Sequence, residues 1–190
     1  MAQAKTLTAA ELRRATDYIA TRPHAARNRA MLLTTHLAGL RVGEVALLSW
    51  SDAVDTSGQV REEIRLNADQ TKGRHPRTVY ISPKLRKELQ AYVNSIPARA
   101  PEAAFFYTQK HPRRGFTPNT LTQLFFNLYR GAGIEGASSH SGRRTFLTNL
   151  ANKGTAIHLL KTLAGHRSIQ TTAAYLYSSP TQLRAVVELA

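Results

Sequence analysis

Two short runs with strand-like alternation, VREEIRLNADQ and RTVYIS, interrupt a chain whose other segments carry helix signals. Their β-branched residues and the turn-forming TKGRHP between them are typical of a hairpin. We therefore predict a small antiparallel sheet within residues 51–82, with Lys72 and Gly73 at or near its tip. The predicted fold class is mostly α with a small antiparallel β-sheet, which is an α+β fold.

Helix signals flank this sheet on both sides. Thr8 and Glu11 match a capping box that opens a first helix, which Pro23 ends. Gly39 ends a second helix, and a short helix is expected over 43–48. Beyond the sheet we predict helices over 83–96, 117–130 (capped by Thr117), 139–154, 155–163 (capped by Thr155), 169–177 and 180–190, and a strand at FFYT, 105–108.

No segment divides the chain into domains. We find no internal repeat, and the linker-like PARAPEAA at 97–104 is too short to separate two folding units. Residues 1–190 are therefore predicted to form one domain with a C-terminal tail helix over 180–190.

Charge indicates the kind of partner. Lys and Arg number 26 against 12 Asp and Glu, which gives a net charge of +14 and a pI near 10.8. Such a balance favours a polyanion, above all nucleic acid. The alternative is a cationic surface kept for solubility, a purpose that acidic residues usually serve better.

Absent features narrow the class further. The sequence has no cysteine, which excludes disulfides, thiolate chemistry and Cys-based zinc sites. The N-terminal MAQAKTLTAAELRR lacks the apolar core of a signal peptide, and no apolar run is long enough to span a membrane. We therefore expect a cytoplasmic protein without a membrane partner.

The segment HSGRRTFLTNL places a cation where apolar residues are expected. Helical spacing puts Arg143 on the same face as Phe146 and Leu150. His140 lies three residues before Arg143 and is predicted to share that core-facing side. A guanidinium rarely lies there unless it meets an anion. The alternative is that Arg143 reaches solvent or pairs with an acid.

The segment GLRVGE combines a cation with a helix-start carboxylate. Arg41 follows the helix-ending glycine, and Glu44 lies three residues further on. Such a carboxylate caps exposed N–H groups or holds an arginine in place. The alternative is an ordinary cap beside a surface arginine.

The hairpin segment QTKGRHPR is basic. Lys72, Arg74, His75 and Arg77 cluster there, and a basic hairpin tip suits contact with a phosphate backbone. The alternative is a solvated turn, which is the usual state of such a run.

The segment GHRSIQTTAAY carries a histidine and a tyrosine. His166 follows Gly165 after a helix, and Tyr175 lies nine residues further along. Taken alone, the pattern favours a capping histidine and a core tyrosine.

The sequence lacks the residue patterns that several other enzyme mechanisms require. The twelve acids are scattered, which disfavours a metal nuclease, and GxSxG, GxxxxGK[ST] and GxGxxG are absent. The abundant arginine, histidine, lysine and tyrosine instead suit metal-free phosphoryl transfer on DNA. Arginines would hold the nonbridging oxygens, a tyrosine would attack phosphorus, and a lysine or histidine would move the proton.

Five segments in chain order, GLRVGE, TKG, HSGRRTF, LAGH and TTAAY, resemble the motif blocks of the tyrosine recombinase catalytic domain, in the phage integrase family. Five blocks in series are far more specific than one. The resemblance implies a site-specific recombinase that cleaves and rejoins DNA through a 3′-phosphotyrosine intermediate, for integration, excision or inversion, without metal or cofactor. The chain is also similar to the short fimbrial-switch invertases, which implies that no separate N-terminal core-binding domain is present; the alternative is that the chain is a catalytic-domain fragment of a longer family member.

The resemblance implies roles for the basic residues. Arg41 and Arg143 would hold the scissile phosphate, and Glu44 would support Arg41. Lys72 would protonate the leaving 5′ oxygen. DNA contacts are expected at Arg74, His75, Arg77 and Arg144.

It also implies roles around the nucleophile. His140 would act in proton transfer, and His166 would hydrogen-bond the phosphate. Tyr175 would be the nucleophile because its spacing from His166 matches the family, whereas Tyr177 would point elsewhere and remains the alternative. One departure is Gly142, where the family often has leucine.

The implied partners are double-stranded DNA, further copies of the chain as a tetramer on DNA, and accessory DNA-bending proteins. The tail's apolar stripe would dock on a neighbouring protomer or pack on its own core; it comprises Leu183, Val186, Val187 and Ala190. Two functional alternatives stay open: a catalytically idle DNA-binding relative, and an enzyme similar to a type IB topoisomerase.

Overall fold

The computed structural model describes residues 4–71, 73–109, 114–175, 184, 187 and 188. Over these residues the chain is mostly helical with one two-stranded antiparallel sheet, which confirms the predicted fold class. In chain order the elements are α1 (Ala9–Ala20), α2 (Ala25–Leu37), α3 (Val42–Ala46), α4 (Trp50–Ala53), β1 (Glu63–Leu66), β2 (Arg77–Tyr80), α5 (Pro83–Asn94), α6 (Pro118–Gly131), α7 (Ser141–Asn152), α8 (Ile157–Ala164) and α9 (Ile169–Ala173).

Local signals set several helix ends as predicted. Thr8 Oγ1 accepts from the backbone nitrogen of Glu11, whose carboxylate accepts from the backbone nitrogen of Thr8. Thr117 caps α6, and Pro118 occupies its first turn. Gly39 follows α2 with φ of 66°, a left-handed conformation that glycine adopts readily.

The predicted hairpin is confirmed. β1 pairs with β2 in antiparallel register, with Ile64 opposite Val79 and Leu66 opposite Arg77. Ile64 and Leu66 are buried, whereas the alternating residues of β1 are exposed, so one face of the sheet packs on the core. Lys72, in the connection between the strands, lies outside the described residues.

One helix was missed and two local predictions were wrong. Helix α4 was not expected; Ser49 caps it by accepting from the backbone nitrogen of Asp52. Residues 105–108 form no strand, because the backbone there makes only isolated bridges, such as Tyr107 with Gly115, and joins no sheet; Phe105 and Phe106 are instead core residues. Thr155 does not cap α8, which begins at Ile157.

The chain divides into two compact units, Met1–Phe146 and Leu147–Ala190. In the first unit, α2 contacts α1, α3 and α5, and aromatic side chains fill the core. Tyr92 is among them, and its hydroxyl donates to the carbonyl of Phe105 at 3.0 Å. In the second unit, α8 packs on α9. The helix predicted from Pro180 lies largely outside the described residues.

Candidate active site

Glu44 lies at the centre of a buried cluster of charges in the first unit. It occupies the first turn of α3 and is only 1% exposed. Its Oε2 accepts from the backbone nitrogen of Arg41 at 2.7 Å, and its Oε1 accepts from Arg41 Nη1 at 2.8 Å. The carboxylate therefore caps the helix and holds the arginine, so both interpretations of this residue apply.

Arg77 binds the same carboxylate from β2. Its Nη2 donates to Glu44 Oε2 at 2.6 Å and its Nε to Oε1 at 3.2 Å. Its side chain is 8% exposed, so Arg77 does not lie with Arg74 and His75 at the exposed part of the hairpin. The alternation in RTVYIS carried a signal for this, because it places Arg77 on the same side as the buried Val79.

Two guanidinium groups keep this carboxylate ionised. Burial raises the pKa of Glu44, but the hydrogen bonds and charges of Arg77 and then Arg41 outweigh that effect. The pKa of Glu44 therefore lies below its ordinary value. An ionised Glu44 offers both arginines a fixed acceptor, which limits their rotamer freedom.

Arg143 is anchored to the turn that precedes Arg41. It lies in the first turn of α7 with 4% exposure, which confirms its predicted position on the core-facing side. Its Nη1 donates to the carbonyl oxygen of Gly39 at 2.6 Å. The residues from Gly39 to Arg41 therefore anchor one guanidinium and carry the other.

His140 does not share that side of the helix. It precedes α7, which begins at Ser141, and it is exposed. The prediction that it shares the buried face of Arg143 was therefore wrong. Its backbone nitrogen donates to Ser138 Oγ at 3.3 Å, and its carbonyl accepts from the backbone nitrogen of Arg144.

The second unit brings His166 and Tyr175 together. Gly165 ends α8 with φ of 59°, and the backbone nitrogen of His166 donates to the carbonyl of Lys161. The two rings lie with centroids 5.8 Å apart and planes 21° from parallel. Both residues are half-buried. The predicted spacing thus places a phenol beside an imidazole.

Thr172 is a residue that the sequence interpretation missed. Its Oγ1 lies 3.0 Å from His166 Nδ1, and Thr172 is fully buried in α9. The contact fixes the orientation of the imidazole and leaves Nε2 as its other polar atom. The sequence shows only a pair of threonines here, and nothing distinguishes the buried one.

The remaining predicted site residues are placed as follows. Arg74 and His75 are exposed, and Arg144 is half-buried. Tyr177, like Lys72, lies outside the described residues. Over the described residues there is no group of three or more His, Asp or Glu side chains that could hold a metal. No helix in that part of the chain is both long and apolar enough to cross a membrane.

Comparisons with known proteins give the family. The model of the phage integrase family matches residues 5–182. The tyrosine recombinase XerC of Rickettsia typhi is 27% identical over 165 residues, which cover 86% of this chain and 51% of that protein. The tyrosine recombinase XerA of Thermococcus kodakarensis is 30% identical over 188 residues, covering 98% of this chain and 62% of that protein. The chain thus spans about half to three-fifths of the length of these two relatives.

Solved structures support the same fold. A crystal structure of XerA recombinase matches the whole chain with a TM-score of 0.76 at 24% identity and is covered over 66% of its length. The Tn1549 transposon integrase in complex with transposon right end DNA matches 99% of the chain with a TM-score of 0.78 at 18% identity, over 66% of its own length. The resemblance seen in the sequence motifs is confirmed, and the chain belongs to the phage integrase family.

Proposed function

We propose that residues 1–190 act as a single catalytic domain of a site-specific tyrosine recombinase, which cleaves and rejoins double-stranded DNA for integration, excision or inversion. The observation that carries this is that one turn fixes two arginines. Arg143 of α7 donates to the carbonyl of Gly39, and Arg41, two residues after Gly39, is held by Glu44. Two fixed guanidinium groups suit the nonbridging oxygens of one phosphate. Family membership and the net charge of +14 support the same substrate.

In the proposed reaction, the Tyr175 hydroxyl oxygen attacks phosphorus while the bond from phosphorus to the 5′ oxygen breaks. His140 accepts the tyrosine proton, and Lys72 gives its own proton to the leaving 5′ oxygen. His166 donates a hydrogen bond to the phosphate, whose charge Arg41 and Arg143 stabilise. The phosphotyrosine link keeps the bond energy, so a 5′ hydroxyl from another strand reverses the step without metal or cofactor.

The finer assignments belong to the same proposal. The exposed Arg74 and His75 contact the DNA backbone, as does Arg144, whereas Arg77 acts through Glu44. The protein works as a tetramer on DNA with accessory DNA-bending proteins, and in the cytoplasm, where its substrate lies. Tetramer assembly would be measured by the mass of the protein–DNA complex in solution.

Covalent capture on nicked duplexes tests the proposal. Duplexes tiled across the DNA beside the gene would be incubated with wild type, Tyr175→Phe and Tyr177→Phe, and resolved on a denaturing gel. We expect a shifted band that only Tyr175→Phe abolishes. Loss of the band only in Tyr177→Phe would move the nucleophile to Tyr177.

Two other outcomes separate the alternatives. Salt-dependent DNA binding without a covalent band from wild type would favour a catalytically idle DNA-binding relative. Relaxation of supercoiled plasmid by dilute monomer, without exchange between duplexes, would favour chemistry of the type IB topoisomerase kind.

A further inference from the structure

Gly142 marks a very close approach of α7 to α2. A β-carbon at this position would overlap Oγ1 of Thr35 and would lie 3.0 Å from Cβ of Thr35 and 3.3 Å from the backbone nitrogen of His36. Gly142 lies within α7 and is not among the residues with positive φ. Space, rather than backbone conformation, therefore requires glycine here.

In a second close approach the glycine belongs to the other segment. Gly39, in the turn after α2, lies against Phe146 of α7, and a β-carbon on Gly39 would overlap the phenyl ring. Gly39 lies four residues after Thr35, just as Phe146 lies four residues after Gly142. The α7 segment and the α2 segment thus each supply one glycine. The two contacts lie about one helical turn apart along each segment.

Both arginines of the proposed site depend on this contact. Arg143 lies between Gly142 and Phe146, and it donates to the carbonyl of Gly39 at 2.6 Å. Arg41 begins α3 two residues after Gly39. Any shift of α7 away from α2 would therefore change the separation of the two guanidinium groups.

We propose that Gly142 and Gly39 are positioning residues that set the distance between Arg143 and Arg41 to fit one phosphate. This rests on the proposed function. A displacement of ~1 Å in an active site can lower a rate by ~100-fold, and a methyl group inserted between α7 and Thr35 forces a shift of that order. The glycines touch no substrate and act only through the arginines.

The test compares Gly142→Ala with Gly43→Ala and with the double variant Thr35→Ala/Gly142→Ala. Gly43 is also helical and lies two residues from Arg41, but a β-carbon there meets Pro118 Cγ only at an ordinary 3.8 Å. We expect Gly142→Ala to lower the single-turnover cleavage rate by ~100-fold, with DNA affinity changed less than about threefold and the protein still folded at the assay temperature. Gly43→Ala should cleave like wild type, and the double variant should regain at least about tenfold because Thr35 Oγ1 is gone.

A second readout does not need cleavage. In protein labelled with ¹⁵N-arginine, the Arg143 side-chain N–H signals, assigned by their loss in Arg143→Lys, report the bond to Gly39. They should shift in Gly142→Ala and return in the double variant. If wild type cleaves no duplex, the proposed function fails. The Arg143 N–H signals then show by themselves whether Gly142 positions Arg143. Wild-type signals and wild-type cleavage in Gly142→Ala would overturn the inference, and so would a defect that the double variant does not reduce.

Discussion

Arg77 and Glu44 form a buried ion pair, with 2.6 Å between Nη2 and Oε2, that ties the start of β2 to the start of α3. Because Glu44 also binds Arg41, one carboxylate links the strand that follows the Lys72 segment to a predicted phosphate-binding arginine. The pair joins residues 33 positions apart in the chain. This geometry supports the proposal that Arg77 acts through Glu44.

We expect Arg77→Met to lower the free energy of unfolding by about 3 kcal/mol, the low end for breaking a buried ion pair, because the carboxylate loses both hydrogen bonds from Arg77 and keeps only those from Arg41. Urea unfolding followed by circular dichroism measures this. The control is Arg74→Met, which removes an ion pair with Asp69 whose side chains are 82% and 81% exposed and which should cost less than about 1 kcal/mol. Equal losses in both variants would contradict the buried pair.

The sequence predicted the parts of the fold that local chemistry determines. The capping box at Thr8 and the Thr117–Pro118 start were visible because each needs residues only a few positions apart. Helix α4 was missed since it has only four residues and its Trp50 nitrogen bonds the distant carbonyl of Ala103. FFYT was mistaken for a strand because core burial and strand formation select the same aromatic residues.

In the candidate site, too, contacts between residues close in the chain were predictable, and contacts between distant residues were not. Arg41 with Glu44 was predictable from spacing within one motif, and the roles of His166 and Tyr175 were implied by the family resemblance over a short segment. The ion pair of Arg77 joins two motifs, and the bond from Arg143 to Gly39 spans 104 positions. Only packing of α7 against the turn after α2 brings that pair together, and no periodicity encodes it.

Arg143→Lys should lower the rate of DNA cleavage by at least ~100-fold, because an ammonium cannot donate to Gly39 and hold a phosphate oxygen with the geometry of a planar guanidinium. The matched control is Arg144→Lys at the next, half-buried position, which should change DNA affinity more than the rate of the bound complex. Single-turnover covalent capture at saturating DNA measures both. A rate in Arg143→Lys close to that of Arg144→Lys would argue against a phosphate-binding role.

His36 should make stability depend on pH. Its side chain is buried in α2, and burial, followed by the charge of Lys84, lowers the pKa of His36 from 6.5 to about 4. The unfolded chain then binds a proton that the folded chain does not, so stability is full above about pH 6.5 and is lost as the pH falls toward about 4. Between pH 7 and pH 5 this amounts to about 2 kcal/mol.

Urea unfolding of wild type and His36→Leu at the two pH values isolates this effect. All other histidines are the same in both proteins, so the difference between the two pH dependences belongs to His36. We expect the loss of stability toward pH 5 to be about 2 kcal/mol smaller in His36→Leu. The interval stops at pH 5 so that Glu44, whose pKa is lowered, remains ionised. The same loss in both proteins would rule out a buried neutral His36.

Thr172 should act on cleavage through His166. When the Thr172 hydroxyl donates to Nδ1 across the 3.0 Å contact, the ring proton of neutral His166 lies on Nε2, the atom that in the proposed reaction donates to the phosphate. Thr172→Val keeps the shape of the side chain but removes that donor. We therefore expect the single-turnover cleavage rate to fall by ~10-fold, with little change in DNA affinity.

Two further variants show whether Thr172 acts by orienting the imidazole of His166 or only by packing. Thr172→Ser keeps a hydroxyl and should retain most of the cleavage rate, although it loses a buried methyl group. Thr171→Val makes the same change at an exposed position one residue earlier and should cleave like wild type. If Thr172→Ser is as slow as Thr172→Val, the lost methyl packing explains the defect, and the hydroxyl has no part in orienting His166.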